Sequence, residues 1–241
     1  SIKCKNSKSA KTTMHSKNAT EEPMARESKA KKKQRAEAVY EEMAALYASA
    51  PCALHFDGDP FRLTIATLLS AQTTDKNVNK VTPVLWQHYP TVADLAAANP
   101  GDVEEIIHSL GFFRSKAANC IKCAQGVIDL YDGTVPKTIA ELTKLPGVGR
   151  KTANVVLAEA FDIAEGIAVD THVYRIARIL DFSKGETPDQ VEKDLCSLYP
   201  QDHWVNINRR WVLFGREICI ARRPRCADCP LAQKGLCPEL L

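Results

Sequence analysis

The sequence predicts an all-α protein of about ten short helices, and three observations support this fold class. Apolar residues recur every three or four positions over 103–110, 153–161 and 173–180, which is the spacing of one helix face. No stretch shows the sustained alternation of apolar and polar residues that a half-buried strand requires. The thirteen prolines fall mostly between the helical patterns, where they mark helix ends.

The composition is that of a globular protein with a substantial core. Of the 241 residues, 45% are hydrophobic and 25% are charged, so one large domain or two modest ones can form. The longest apolar runs are too short to span a bilayer, and no apolar stretch near the N-terminus resembles a secretory signal. We therefore expect no membrane segment and a protein that stays inside the cell.

Lysines crowd the first 35 residues, although the formal net charge of the whole chain is only +3. Large apolar residues are almost missing there, so burial cannot offset the entropy that ordering would cost. We interpret residues 1–29 as a disordered basic tail. It is either a solvated leader, which we favour, or an arm that attracts DNA or directs targeting.

Local signals mark several helix boundaries. Thr91 and Asn99, which precedes a proline, are typical of helix starts, and Gly133 is typical of a turn. Cys120 and Cys123 lie inside a helical pattern over 116–130. We interpret this pair as two small buried residues one turn apart, with a redox pair or half a metal site as the alternatives.

The segment Leu145-Pro-Gly-Val-Gly-Arg-Lys-Thr-Ala153 is the most informative part of the chain. A helical pattern over 138–144 precedes it, and a second helix follows. Two glycines separated by one residue permit a tight turn, whose amides and the free N–H groups of the next helix make an anion site. Such a site grips a DNA phosphate without reading the base sequence. The alternative is a plain glycine turn between two packed helices.

This string, flanked by helices, resembles the helix-hairpin-helix of the endonuclease III superfamily of DNA glycosylases. The resemblance implies DNA contacts from Gly147, Gly149, Arg150 and Thr152. Lys151 lies in the first turn of the second helix, where we expect burial, the helix N-terminus and Arg150 to disfavour its protonated form. From the residues alone, Lys151 is either a nucleophile or a solvated cation. The resemblance implies the nucleophile, which forms a Schiff base with the sugar.

Asp170 precedes an amphipathic helix in the string Val-Asp-Thr-His-Val, so its simplest role is to cap that helix. A carboxylate also suits glycosidic cleavage, because it offsets positive charge on the sugar and accepts a proton from an attacking amine. The string resembles the catalytic aspartate segment of the family, which implies that Asp170 is catalytic. His172 either contacts the DNA backbone, supports Asp170, or is a structural histidine.

An enzyme that acts on a stacked base must flip it out and fill the gap. The segment Leu68-Leu-Ser-Ala-Gln-Thr-Thr-Asp75 resembles the family loop whose glutamine, here Gln72, enters the duplex. The loop that begins at Leu110 resembles the second wedge and puts Phe112 at the inserting position. Relatives often carry an aliphatic residue there, so Phe112 departs from the pattern. The alternative for both is a helix end that packs on its neighbour.

Four of the nine cysteines, Cys219, Cys226, Cys229 and Cys237, lie close together, with six, two and seven residues between them. In a reducing compartment such a group indicates metal rather than disulfides. Spacing alone does not separate a [4Fe–4S] cluster from tetrahedral zinc. The order resembles the cluster loop of the family, which implies a structural [4Fe–4S] cluster. The last interval of the family is usually five residues, which puts Cys237 in question as the fourth ligand.

Three arginines, Arg222, Arg223 and Arg225, lie between the first two of these cysteines. A closed loop that presents three guanidinium groups is typical of a phosphate-binding rim. We therefore expect the three arginines to contact DNA.

The resemblance implies two helical domains with DNA in the groove between them. A six-helix barrel over 53–164 would end in the hairpin, and a discontinuous cluster domain would combine 30–52 with 165–241. The implied function is a bifunctional DNA glycosylase and abasic-site lyase of base excision repair. Its partner would be double-stranded DNA with oxidised pyrimidines or abasic sites, bound by a monomer in the bacterial cytoplasm or nucleoid.

The sequence bears on two rival functions. A monofunctional adenine glycosylase of the same superfamily would lack the lysine and typically carry a glutamate near the first wedge. Lys151, and the absence of an acidic residue before Asp75 in the loop that begins at Leu68, argue against this rival. A non-catalytic DNA-binding module clipped by metal would keep the hairpin and the cysteines but would form no Schiff base.

Overall fold

The computed structural model describes residues 27–238, so the predicted basic tail lies outside it up to residue 26. Within that range the chain is helical and contains no strand, which confirms the predicted fold class. The helices are α1 (Lys29–Leu46), α2 (Pro60–Leu69), α3 (Asp75–His88), α4 (Val92–Ala96), α5 (Pro100–Ile107), α6 (Phe113–Tyr131), α7 (Ile139–Leu142), α8 (Arg150–Phe161), α9 (Thr171–Ile179), α10 (Pro188–Leu198), α11 (Gln201–Glu217) and α12 (Pro230–Gln233), with a 3₁₀ turn at Cys226–Asp228. The predicted count of ten is low, because α4, α7 and α12 are too short to show a period.

Side-chain caps set most helix starts where the sequence predicts them. Thr91 and Asp94 form a capping box at the start of α4, with bonds of 3.2 and 3.1 Å. Asn99 caps α5 just before its first proline. Helix α1 begins at Lys29, the last residue of the predicted tail, with Ser28 as its cap. Gly133, at a φ of +79°, follows α6 in the left-handed conformation that glycine adopts without strain.

The buried hydrophobic side chains form two separate cores. The first is built from α2 to α8, and α2 is its centre, because eight of its ten residues are buried. The second combines α1 with α9 to α12, so the chain leaves this core after α1 and returns to it after α8. Cys120 and Cys123 are fully buried in the first core. Among residues 27–238, no helix has both the length and the apolar character needed to cross a bilayer.

A buried carboxylate links the two cores near the hairpin. Glu192 of α10 accepts two hydrogen bonds from Arg150, at 2.7 and 2.9 Å, and a third from Asn154 of α8 at 3.0 Å. Gly166 leaves room for this group, since a Cβ there would lie 2.1 Å from the Glu192 carboxylate. Both donors lie on α8 and the acceptor lies on α10 of the second core, so the network bridges the two cores.

Replacing Glu192 with alanine should therefore lower the free energy of unfolding by about 1–3 kcal/mol, because it leaves the Asn154 amide buried without a partner. Urea unfolding followed by circular dichroism measures the change. Glu105→Ala, which removes an exposed carboxylate from α5, is the control and should change stability by less than about 0.5 kcal/mol. Equal effects of the two substitutions would show that the link carries no stability.

Candidate active site

Two cavities lie between the cores, and Lys151 and Asp170 line both of them. The larger is an open cleft of about 940 Å³, also lined by Gln72, Thr152 and His172. The smaller cavity has a volume of about 120 Å³. Lys151 belongs to α8 of the first core and Asp170 precedes α9 of the second core. The structure thus brings together two residues that lie on different cores.

The hairpin is a type II turn followed directly by α8. The N–H of Val148 donates to the carbonyl of Leu145 at 3.0 Å, Pro146 follows Leu145, and Gly147 has a φ of +80°. Gly147 is also tightly packed, because a Cβ there would lie 3.3 Å from Leu68. Conformation and packing both require glycine at this position, as the motif predicts.

Gly149 has a different role from Gly147. It is the N-cap of α8 with an ordinary φ of −89°, and no side chain caps this helix. The first N–H groups of α8 therefore have no side-chain acceptor. Because glycine has no side chain, the space in front of these N–H groups is left open. This end of the helix has the properties of an anion site.

Lys151 is exposed at the start of α8. The expectation that Lys151 is buried is therefore wrong for the free protein. Its position beside Arg150 at the N-terminus of α8 is as predicted. Within residues 27–238, no acceptor takes a hydrogen bond from the Lys151 ammonium, so its amine is not held in an ion pair.

Asp170 caps α9 through one carboxylate oxygen. Its Oδ1 accepts from the backbone N–H groups of His172 and Val173, both at 2.9 Å. The second oxygen makes no hydrogen bond with the residues that the structure describes, and the residue lines the cleft. Capping and catalysis can thus use different oxygens of the same side chain. Asn208 of α11 donates to the carbonyl of Ala168 at 2.8 Å, which holds the segment that leads to Asp170.

His172 lines the cleft, but its ring is half buried against α11. A Cβ at Gly215 would lie 2.7 Å from the Nδ1 atom of His172, so this glycine permits the close approach. Burial lowers the pKa of His172 below its ordinary value and outweighs the nearby Asp170 carboxylate, which would raise this pKa. Arg175 lowers the pKa further. At neutral pH the imidazole is therefore uncharged, and its contribution to a DNA contact would be a hydrogen bond rather than a charge.

Gln72 and Phe112 stand out by their backbone conformation. Six non-glycine residues among 27–238 have a positive φ, and the other four are aspartates, a type that tolerates this region. Gln72, at +53°, is exposed in the cleft. Phe112, at +59°, is 66% exposed at the N-terminus of α6 and lines neither cavity. An exposed phenylalanine in a strained conformation indicates a functional constraint.

Arg150 and Thr152 follow the hairpin but differ in their surroundings. Thr152 lines the cleft, as a DNA contact requires. Arg150 is paired with Glu192, and this pair raises the pKa of its guanidinium. Its side chain is 47% exposed, so part of it still reaches solvent. Arg150 therefore links the two cores, which its position in the motif does not predict.

The four cysteines Cys219, Cys226, Cys229 and Cys237 line a third cavity, whose volume is about 70 Å³ and whose other walls are mostly apolar. Burial raises the pKa of the Cys219 thiol, Arg175 lowers it, and the other three cysteines raise it, so the four thiols are close neighbours. Within residues 27–238, no group of three or more His, Cys, Asp or Glu side chains is arranged to hold a single metal ion.

The loop between the first two cysteines is exposed. Arg222 and Arg223 reach solvent, and Arg225 forms an exposed ion pair with Asp228 at 3.1 Å. Arg175 of α9 ties this loop to the site, because it donates to the carbonyl of Cys219 at 2.6 Å. The helix that Asp170 caps is therefore bonded to the first cysteine.

Two ion pairs in the smaller cavity are not predicted by the sequence. Arg216 pairs with Asp75 at 2.8 Å, and Arg209 pairs with Glu159 at 2.6 Å. In each pair the arginine lies on α11 and the carboxylate on a helix of the first core. The partners are 141 and 50 residues apart in the chain, so no local sequence pattern predicts either pair.

Comparisons with known proteins give consistent matches. The family model described as HhH-GPD superfamily base excision DNA repair protein matches residues 65–201. The chain is 47% identical to Endonuclease III of Synechocystis sp. over 210 residues, which are 87% of this chain and 94% of that protein. It is 44% identical to Endonuclease III of Escherichia coli strain K12 over 170 residues, which are 70% and 80% of the two chains.

Solved structures agree with these matches. The structure of a trapped covalent intermediate of endonuclease III with DNA has a TM-score of 0.80 and 44% identity, over 86% of this chain and 96% of that chain. The structure of a thermostable thymine-DNA glycosylase has a TM-score of 0.72 at 23% identity, over 88% and 97% of the two chains. The second match shows a shared fold only.

Proposed function

The chain belongs to the HhH-GPD superfamily of base excision DNA repair proteins and to the endonuclease III family within it, and we propose on this premise that Lys151 and Asp170 perform its chemistry. The protein is a base excision repair enzyme, a DNA glycosylase with abasic-site lyase activity. The observation that carries the assignment of residues is that Lys151 and Asp170, from different cores, line the same cleft. We further propose that the two cores correspond to two domains, over 53–164 and over 30–52 with 165–241.

The reaction begins with the unprotonated amine of Lys151, which attacks C1′ of the damaged nucleotide. The bond between C1′ and the base breaks, and the base leaves with the bonding electrons. Asp170 offsets the positive charge that develops on the sugar and accepts the proton that the amine loses. Opening of the sugar ring then breaks the bond between C1′ and O4′, O4′ takes up a proton, and a protonated imine remains between Lys151 and C1′.

Strand cleavage follows from that imine. Loss of a proton from C2′ expels the 3′ phosphate oxygen, so the bond between C3′ and that oxygen breaks. Water then hydrolyses the imine and returns Lys151 as a free amine. An exposed amine without an ion pair suits this cycle, because no partner has to be displaced before the attack.

The DNA contacts are proposed to divide into three kinds. Gly147, Gly149 and Thr152 hold a phosphate at the start of α8, and Gln72 and Phe112 enter the duplex as wedges. The arginines of the exposed loop, Arg222, Arg223 and Arg225, neutralise further phosphates. His172 adds a contact from the wall of the cleft, and Arg150 contributes only its solvent-exposed part.

The substrate is proposed to be double-stranded DNA with oxidised pyrimidines or abasic sites, bound by a monomer. The cleft has room for an extruded nucleotide but reads no base sequence through the hairpin. The protein would act where the DNA is, and in a bacterium that is the cytoplasm or nucleoid.

We propose a [4Fe–4S] cluster in the cavity that Cys219, Cys226, Cys229 and Cys237 line. The donors fit such a group, because four thiols face one small apolar space. A single zinc ion binds each thiolate sulfur at about 2.3 Å, so it needs four sulfur atoms that lie close to one another. A larger cluster holds its four thiolates further apart. When bound, the cluster would clip the arginine loop to α9 and take no part in the reaction.

Cys237→Ser tests this cluster and the long last interval together. The purified protein should be yellow-brown with about four irons per chain. The variant should lose iron and the visible absorbance that thiolate-to-iron charge transfer produces. DNA affinity should then fall with a shallower salt dependence, because the arginine loop loses its anchor. Cys123→Ser, at a buried cysteine of the first core, is the control and should keep its iron. Full iron content in Cys237→Ser would exclude Cys237 as a ligand, and a colourless protein with stoichiometric zinc would exclude the cluster.

Covalent trapping tests the proposed function as a whole. Borohydride reduces an imine to a stable amine, so the protein should become linked to a duplex that contains an abasic site. A non-catalytic DNA-binding module would bind the same duplex and never become linked. Gel electrophoresis under denaturing conditions separates these two outcomes.

A further inference from the structure

We propose that the smaller cavity receives the flipped pyrimidine and that Glu159 and Arg209 recognise its hydrogen-bonding edge. This inference rests on the proposed function, because it assumes that the sugar is held at Lys151. It adds to that function the residues that read the damaged base.

The position of the cavity suits a flipped base. Its walls include Lys151 and Asp170, so a nucleotide whose sugar reaches Lys151 has this space beside it. The volume of about 120 Å³ is close to the roughly 150 Å³ of an apolar cavity that accommodates benzene. One six-membered ring therefore fits if the part of the ring next to the sugar stays in the cleft, whereas a two-ring purine would leave much more of its surface outside the cavity.

The pair of Glu159 and Arg209 is largely shielded from water, Glu159 more than Arg209. Their side chains are 9% and 23% exposed, and Nε of Arg209 donates to Glu159 at 2.6 Å. A second nitrogen of the guanidinium donates to the carbonyl of Ala158 at 3.0 Å. Removing two charges from water can cost more free energy than their mutual attraction returns. A buried ion pair is therefore weak evidence for a role in stability. Its place in the wall of a cavity beside the catalytic lysine indicates a ligand.

The unused hydrogen-bonding groups match a pyrimidine ring. Glu159 keeps a second oxygen as an acceptor, and Arg209 keeps further N–H donors. The edge of a thymine-derived or uracil-derived ring carries an N3–H donor between two carbonyl acceptors. A carboxylate that accepts from N3–H, next to a guanidinium that donates to a carbonyl, complements two of these groups. Ring damage that weakens stacking lowers the cost of bringing the base here.

The other polar groups in the cavity have different roles. Asp75 and Arg216 pair with each other and also line the cleft, so they lie on the wall that the two spaces share. Burial and the nearby Glu159 raise the pKa of the Cys52 thiol to about 11. Cys52 thus stays neutral at physiological pH and adds bulk rather than charge. Glu159 and Arg209 are the charged groups left to read the base.

The test compares base release with strand cleavage in a double variant, Glu159→Met with Arg209→Met. Apolar residues of similar size keep the fold where single removal would leave a buried charge. Base release from a duplex that contains 5,6-dihydrouracil should fall by roughly 30-fold or more, because two edge contacts are lost. Cleavage of an abasic duplex, which has no base to read, should change by less than about threefold.

Two further variants make the result decisive. Cys52→Met narrows the same cavity without touching the ion pair, and it should also slow base release more than abasic cleavage. Lys32→Met with Asp181→Asn removes an ion pair of the second core, at 3.0 Å, and should change neither rate. Base release that is unchanged in the double variant and in Cys52→Met would overturn the proposal, as would equal loss of both rates. Absence of trapping in the unmodified protein would instead overturn the proposed function itself.

Discussion

Substitution of Lys151 by glutamine is expected to abolish borohydride trapping on abasic DNA and to lower strand cleavage by roughly 10³-fold or more. The amide cannot form an imine, so the substitution removes the reaction path instead of weakening one contact. DNA binding should stay within about threefold, because the open end of α8 and the exposed arginines remain. Trapping and binding are measured on the same abasic duplex, at fixed salt.

The matched control is Lys122→Gln, which makes the same change at an exposed lysine in the middle of α6. It should trap as well as the unmodified protein. Undiminished strand cleavage by Lys151→Gln would refute the assignment of the nucleophile. A large loss of binding in that variant would instead show that Lys151 acts as a phosphate contact.

Substitution of Asp170 by asparagine is expected to lower turnover by about 10²- to 10³-fold and stability by less than about 1 kcal/mol. Asparagine still accepts the hydrogen bonds from His172 and Val173 that start α9, so the cap survives. Only the negative charge of the carboxylate is lost from the cleft. Single-turnover cleavage and urea unfolding measure the two effects on the same preparation.

Asp59 provides the control for this substitution, because it caps α2 in the same way, through bonds to Phe61 and Arg62. It lines neither of the two cavities that contain Lys151. Asp59→Asn should therefore leave turnover unchanged at a similar small cost in stability. If Asp170→Asn unfolds readily while its folded fraction turns over normally, Asp170 is a cap and nothing more.

Much of the fold follows from short stretches of the sequence. Thr91 and Asn99 start helices because their side chains bond amides two or three residues away. Gly147 is predicted from its motif because a type II turn needs a positive φ at that position. These interactions join residues that are close in the chain, so the pattern alone contains them.

The family and its activity as a DNA glycosylase and abasic-site lyase could also be predicted from the motifs, and both predictions are confirmed by the comparisons. The roles of individual residues stay predictions. The structure supports them unevenly: Gln72 and Phe112 have the strained backbone of functional residues, whereas Lys151 lacks the burial that was expected. Exposure of one side chain depends on what packs around it, and a motif does not contain that information.

The sequence by itself determined that this protein is helical, where most helices begin, and which residue types its motifs offer for binding phosphate and attacking a sugar. Only the tertiary structure decided that Arg150 is tied to Glu192, and that Glu159 meets Arg209 in a cavity beside the cleft. The reason is the range of the forces involved. Backbone preference and capping act over a few residues, whereas an ion pair between two cores exists only once both have packed.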